Sequence, residues 1–158
     1  MLLSGILALV CSCNNLNNNG DAELTGSIYG TWVLDNLTIE ASTSVISDGS
    51  LNTSVIDFTK TTPCYLVLGD DMMASARMGW DLELSAYSFS EESKTVRFNK
   101  SLSVSDDGKA MVLVGTYQVT ELTPAKLVLR QPDFNIDIPG LFSSHQTAIY
   151  SFHRETKD

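Results

Sequence analysis

Few side chains in this chain are of a type that does covalent chemistry, and their spacing does not assemble them. There are two histidines, His145 and His153. His153 alternates with the apolar Tyr150 and Phe152, so it reads as an outward-facing strand residue with no nucleophile paired to it in sequence. A metal centre needs several nitrogen, sulfur or carboxylate ligands at set spacing; the nearest set, Asp133, Asp137 and His145, is too loose. Asp106-Asp107-Gly108 lacks the alternating carboxylates and closing Glu of a calcium loop. Asp70-Asp71 and Glu91-Glu92 read as solvated turn charges. Cys64 sits in a short apolar run and reads as an inert buried thiol. No Gly-rich phosphate loop is present. The sequence thus points away from an enzyme and implies neither cofactor nor metal.

Charge and size narrow the remaining classes. Ten Lys+Arg against 19 Asp+Glu leave a net charge of −9, which argues against nucleic acid and anionic surfaces, since both need a basic patch. A length of 158 residues with 43% hydrophobic content fits one globular domain. Cys11, Cys13 and Cys64 cannot make a disulfide framework. No apolar run approaches the roughly 20 residues that cross a bilayer.

The first residues carry an address. After Met1, residues 2–10 are Leu, Ile, Ala and Val with one Gly and one Ser, and Cys11-Ser12-Cys13 follows. That apolar stretch resembles the core of a secretory signal, in particular the lipoprotein class. In that class an aliphatic residue stands three before the modified cysteine and a small residue one before it. Val10 and Ser12 hold those places for Cys13. The resemblance implies a signal peptide over 1–12 and acylation at Cys13. Two acyl chains, at about 0.8 kcal/mol per buried CH₂, anchor stably in a bilayer. Asn14 is not the Asp that holds such proteins at the inner membrane, so the implied address is the outer membrane. The polar tract Asn14-Asn15-Leu16-Asn17-Asn18-Asn19-Gly20 reads as part of a tether over 13–26, with an r.m.s. span of roughly 20 Å.

Beyond Gly26 the hydrophobic period is two. Trp80, Leu82, Leu84 and Ala86 alternate with Asp81, Glu83 and Ser85; Val96, Phe98, Leu102 and Val104 alternate with polar neighbours. The pattern predicts eight strands, over 28–40, 54–60, 64–69, 78–89, 95–105, 111–122, 126–132 and 147–154. Turn residues at 91–94, 106–109 and 123–125 join neighbours closely enough to demand antiparallel pairing. Phase slips after Leu34 and after Ala86 predict two bulges. The expected fold is all-β: an eight-stranded up-and-down antiparallel β-barrel over 27–156, with a two-sheet β-sandwich as the alternative.

In an up-and-down barrel, successive loops alternate between ends. Loops 41–53, 70–77, 106–110 and 133–146 then share a mouth, and 61–63, 90–94 and 123–125 share a tight base. At the base, alternation turns Gly30, Trp32 and Arg154 inward, so an Arg would lie across a Trp ring. Gly30-Thr31-Trp32 with a terminal-strand Arg resembles the first motif of the lipocalin/calycin group. Tyr29-Gly30-Thr31-Trp32, Gly115-Thr116-Tyr117 and Lys126-Leu127-Val128-Leu129 are similar to the lipocalin-like lipoprotein domains of Bacteroidetes. The Thr-Asp-Tyr motif of true lipocalins is absent.

The same alternation places Trp80, Leu82, Leu102, Met111, Leu113 and Tyr150 inward near the mouth, with Phe134 and Phe142 on the loop above it. Met72, Met73 and Met78 are expected at that end too. Such residues suit a pocket for a small apolar ligand, neutral or cationic because of the negative field. They equally suit a barrel filled by its own side chains, which would leave a non-enzymatic envelope module touching a protein or glycan through its long loops. In either case the expected partners are a lipid bilayer through acylated Cys13 and no nucleic acid.

Overall fold

The computed structural model describes residues 23–44, 50–138 and 142–156. The signal segment, Cys13 and most of the tether lie outside the described residues. The strands are β1 (Glu23–Leu24), β2 (Gly30–Ser44), β3 (Ser50–Asp57), β4 (Cys64–Leu68), β5 (Met73–Met78), β6 (Asp81–Ser90), β7 (Thr95–Asp106), β8 (Lys109–Leu122), β9 (Lys126–Arg130), β10 (Phe134–Ile138) and β11 (Phe142–Arg154). No helix occurs among them.

Pairing runs β2-β4-β5-β6-β7-β8-β9-β11, and β11 returns to β2, closing an eight-stranded antiparallel up-and-down barrel. Strands β2 and β11 are longer than the barrel is tall. The lower part of β2 pairs with β4 and its upper part with β3. Likewise β11 pairs with β9 below and with β10 above. A four-stranded flap, β3-β2-β11-β10, therefore rises from one side of the mouth.

Bulges let these strands coil. The pairs Phe152–Leu34 and Ser151–Asn36 leave Asp35 as the extra residue, at the slip the sequence shows after Leu34. The expected second bulge, after Ala86, is absent: β6 keeps one register with β5 and one with β7. Its phase is set by Ser85 and Tyr87, both buried, which turns Trp80, Leu82 and Leu84 outward. A bulge that the sequence does not mark lies on β7, where Phe98 faces Gly115 and Leu102 faces Leu113. Gly115 adopts φ 74° there, a conformation glycine accepts without steric cost. The slip leaves Val114 without a β7 partner, and its N–H donates instead to the Tyr117 hydroxyl at 3.1 Å.

Two expectations about connectivity are corrected. The stretch 54–60 is no barrel wall; the wall strand in its place is β5, from a stretch expected as loop 70–77. The run 78–89 is broken at Gly79, whose φ of 56° starts a two-residue turn to β6. In consequence the turn holding Met72 lies at the base, because β4 ends with Leu68 opposite Gly30. Residues 58–63 lie at the mouth, because β4 begins with Cys64 opposite Met78.

The base is sealed as a unit. Trp32 is fully buried, and the Arg154 guanidinium carbon lies 4.1 Å from its ring centroid. The indole N–H donates to the Ile28 carbonyl at 2.9 Å. Arg154 donates to the carbonyls of Pro124 (2.8 Å), Tyr29 (2.8 Å) and Ser27 (2.5 Å), joining the β8–β9 turn to the chain entering β2. Gly30 makes room: a Cβ there would stand 2.2 Å from Arg154 Nη1, at a φ of 145°. The stack contributes about 1–2 kcal/mol, and each charged hydrogen bond about as much again.

Arg154→Ala should therefore lower stability by about 2–4 kcal/mol in urea unfolding, with Arg154→Lys recovering less than half. Trp80→Ala, at a solvent-exposed turn, should change it by less than about 0.5 kcal/mol.

Candidate functional site

Seven of the eight residues expected to line a pocket divide into two groups. Leu102, Met111 and Leu113 do point inward, yet none has any accessible surface, and Tyr150 has almost none. All four belong to the packed core. Trp80 and Leu82 are outside the barrel altogether. Trp80 is fully exposed at the β5–β6 turn, and Leu82 is 59% exposed on the outer face of β6. Phe134 sits on β10 of the flap, 63% exposed. The side chain of Phe142 lies outside the described residues.

What fills the interior is a chain of rings. Tyr87, Phe98, Tyr117 and Tyr150 follow one another from β6 through β7 and β8 to β11, with centroids 6.5, 6.1 and 5.9 Å apart. The last two contacts are edge-on, the arrangement ring quadrupoles favour. Each phenol finds a polar partner: Tyr87 donates to Gly69 O at 2.7 Å and Tyr150 to Val112 O at 2.7 Å. Burial pushes the Tyr87 hydroxyl up to about 12, and raises those of Tyr117 and Tyr150 as well.

The mouth is capped by a residue the sequence did not single out. Phe58, just past β3, is buried over the interior. Its N–H donates to the carbonyl of Asp35 at 2.8 Å, a group the β2 bulge leaves free of the ladder. Lys109 completes the cap, donating to the Asp57 carbonyl and lying 5.6 Å from the Phe58 ring centroid. The bulge at Asp35 was legible in the pattern; what it holds was not, because Phe58 lies in a stretch that also alternates like a strand. Beneath the cap Cys64 and Met111 meet, sulfur to sulfur, at 3.8 Å. Burial pushes the Cys64 thiol up to about 12, so it stays protonated at neutral pH. Met72 and Met73, expected at the mouth, are exposed at the base.

The surface is where apolar groups remain available. Register places Val33, Tyr65, Arg77 and Leu82 in one row across β2, β4, β5 and β6, and Thr31, Val67, Ser75 and Leu84 in the next. Leu82 and Leu84 are 59% and 58% exposed. The Arg77 guanidinium lies 5.0 Å from the Tyr65 ring centroid. Of these rows Thr31, Tyr65, Val67, Ser75, Arg77 and Leu82, together with Glu155, line a groove of 270 Å³. A separate cleft of 460 Å³ opens at the base between Leu24, Ile28, Tyr29, Phe89 and Leu122, on the side where the chain enters the barrel.

Among the described residues no group of three or more His, Cys, Asp or Glu could hold a metal ion. His153 meets Asp35 at 2.6 Å, and His145 meets Asn135 at 2.6 Å; all four are surface side chains. Comparison with protein-family models, with curated proteins and with solved structures finds no match to this chain.

The raised acids set an alkaline limit. Cys64 moves from 9.0 to about 12 and Tyr87 from 10.0 to about 12. Between those values the folded chain holds protons that the unfolded chain has released, so stability is full below about pH 9 and falls as pH rises. Urea midpoints should drop steadily from about pH 9 to 11, and iodoacetamide should reach Cys64 no faster than the chain unfolds. A midpoint flat across that range would contradict the burial of these groups.

Proposed function

We propose that the chain is a lipid-anchored, non-enzymatic interaction module of the outer membrane: a lipocalin-like barrel that binds through its outer surface. The observation carrying this reading is the filled interior. Leu102, Met111 and Leu113 have no accessible surface, and Phe58, at the mouth end, is buried in the same core. A ligand seated there would first have to displace packed side chains, at about 3–5 kcal/mol for each large one.

The anchor is part of the proposal. Its support is the signal-like stretch ending in Val10-Cys11-Ser12-Cys13, and a chain that enters the barrel at the base. There β1 pairs with Glu121 and Leu122 of β8. A barrel tethered through Cys13 would turn its base toward the bilayer and lift the Trp80 turn and the flap away from it. The exposed apolar residues Trp80, Leu82, Leu84 and Phe134 would then face the envelope.

Two measurements test the reading. Growth with a palmitate analogue should label the wild type and leave Cys13→Ala unlabelled. Titration with N-phenylnaphthylamine should show no saturable binding to the wild type, and Phe58→Ala should gain a site by opening the cap. Saturable binding to the wild type, abolished by Leu113→Trp, would make the barrel a ligand carrier instead. An unlabelled wild type released from cells would remove the anchor.

A further inference from the structure

We propose that the cleft at the base, between β1 and the β6–β7 turn, binds an organic amine: an ammonium group carried on an apolar or aromatic body. This names a ligand class for the outer surface and rests on the reading that the barrel binds there. The cleft measures 460 Å³, within the range of small-molecule sites, about 300–1,000 Å³. Leu24, Ile28, Phe89 and Leu122 supply its apolar lining.

One wall is built where a barrel strand runs out. β8 pairs with β7 only as far as Gln118, opposite Thr95, while β9 holds its other edge. β1 takes the place left beside Glu121 and Leu122. The chain then turns sharply, because the N–H groups of Thr25 and Gly26 both donate to the Leu122 carbonyl, at 2.7 and 3.0 Å. Gly26 permits that turn: a Cβ there would stand 2.4 Å from the Thr123 carbonyl carbon. Arg154 holds the carbonyls of Ser27 and Tyr29, and the Trp32 indole holds that of Ile28. The wall is fixed without a ligand, which lowers the ordering cost of binding one.

Charge decides what fits. The lining holds one charged side chain, Glu91, which is exposed and has no ion-pair partner among the described residues. Arg154 offers it none, because its guanidinium is committed to three carbonyls and to the Trp32 ring. Asp70 and Asp71, in the β4–β5 turn, add negative charge at the same end. Burial first, and then Tyr29 and these two carboxylates, raise the neighbouring Tyr87 hydroxyl. Tyr29 and Phe89 add two aromatic rings to the lining, and aromatic rings attract cations. An anion would meet like charge at Glu91, and a neutral ligand would gain the apolar lining alone. An ammonium on an apolar body uses the carboxylate, the rings and the apolar lining together. The net charge of −9 favours its approach.

The test uses the full chain in detergent, with 2-phenylethylammonium as the probe and 2-phenylethanol as its uncharged counterpart. The methyl signals of Leu24, Ile28 and Leu122 should shift saturably with the amine, at a Kd on the order of 1 mM. Those of Leu102 and Leu113, inside the barrel, should stay in place. The alcohol should bind about tenfold more weakly. Glu91→Gln, at an exposed turn, should cost the amine about tenfold and erase its advantage over the alcohol. Phosphatidylethanolamine added to the micelle should displace the probe if a lipid head group is the natural source, and leave it bound if the source is a free amine. No saturable shift by about 10 mM amine, equal affinity for the alcohol, or an unchanged Kd in Glu91→Gln would overturn the proposal. Those outcomes leave the filled-interior reading standing. Naphthylamine binding abolished by Leu113→Trp strikes that reading instead, and the amine shifts would persist in that variant.

Discussion

The contact of Arg154 with Trp32 is the constraint from which the rest of the barrel follows. A sheet closes only if its first and last wall strands are held in register, and β2 and β11 meet at the base with Arg154 opposite Trp32. The guanidinium does more than cover an indole. Its three bonds to the carbonyls of Ser27, Tyr29 and Pro124 tie together the chain entry, the β8–β9 turn and the end of the final strand. A planar donor fork serves three carbonyls in fixed directions, where an ammonium would offer a single point charge. Gly30 is obligatory for the same reason, since any Cβ at that position occupies the guanidinium's own space.

With the floor fixed, the bulge at Asp35 governs the roof. One extra residue in β2 frees a carbonyl, that carbonyl holds the Phe58 amide, and the Phe58 ring closes the interior. The aromatic chain from Tyr87 to Tyr150 fills the space between, with its hydroxyls paired to main-chain carbonyls. Unsatisfied, those hydroxyls would each cost about 1–3 kcal/mol. Floor, filling and roof thus form one packed body, and that density is what turns attention from the interior to the surface.

Much of this was legible in the residues. Period-two alternation marked most of the wall, the slip after Leu34 marked the bulge, and Gly30, Trp32 and Arg154 marked the base. Where expectation failed, it failed on one premise: that apolar residues in alternation face inward. Trp80, Leu82 and Leu84 alternate perfectly and face solvent, since Gly79 turns the chain and the small Ala74, Ala76 and Ser85 hold the inward places. Small inward residues leave no trace in a hydrophobic pattern, so residues 73–77 read as loop. Phe58 was hidden for a different reason: its role depends on a hydrogen bond to a bulge over 20 residues earlier, and no local pattern encodes that.

The exposed leucines also explain why the wall is broken where it is. A barrel strand that carried its apolar residues inward would gain burial by zipping fully to its neighbour; the upper half of β6 gains nothing, because its inward places hold Asp81 and Glu83. Main-chain pairing with β7 would press those two carboxylates toward Val104 and Leu102, both fully buried, and burying a carboxylate without a partner costs far more than the hydrogen bonds return. The two strands are bridged there by side chains instead, with Ser85 Oγ accepting the Lys100 N–H and Asp81 Oδ2 accepting the Ser105 N–H.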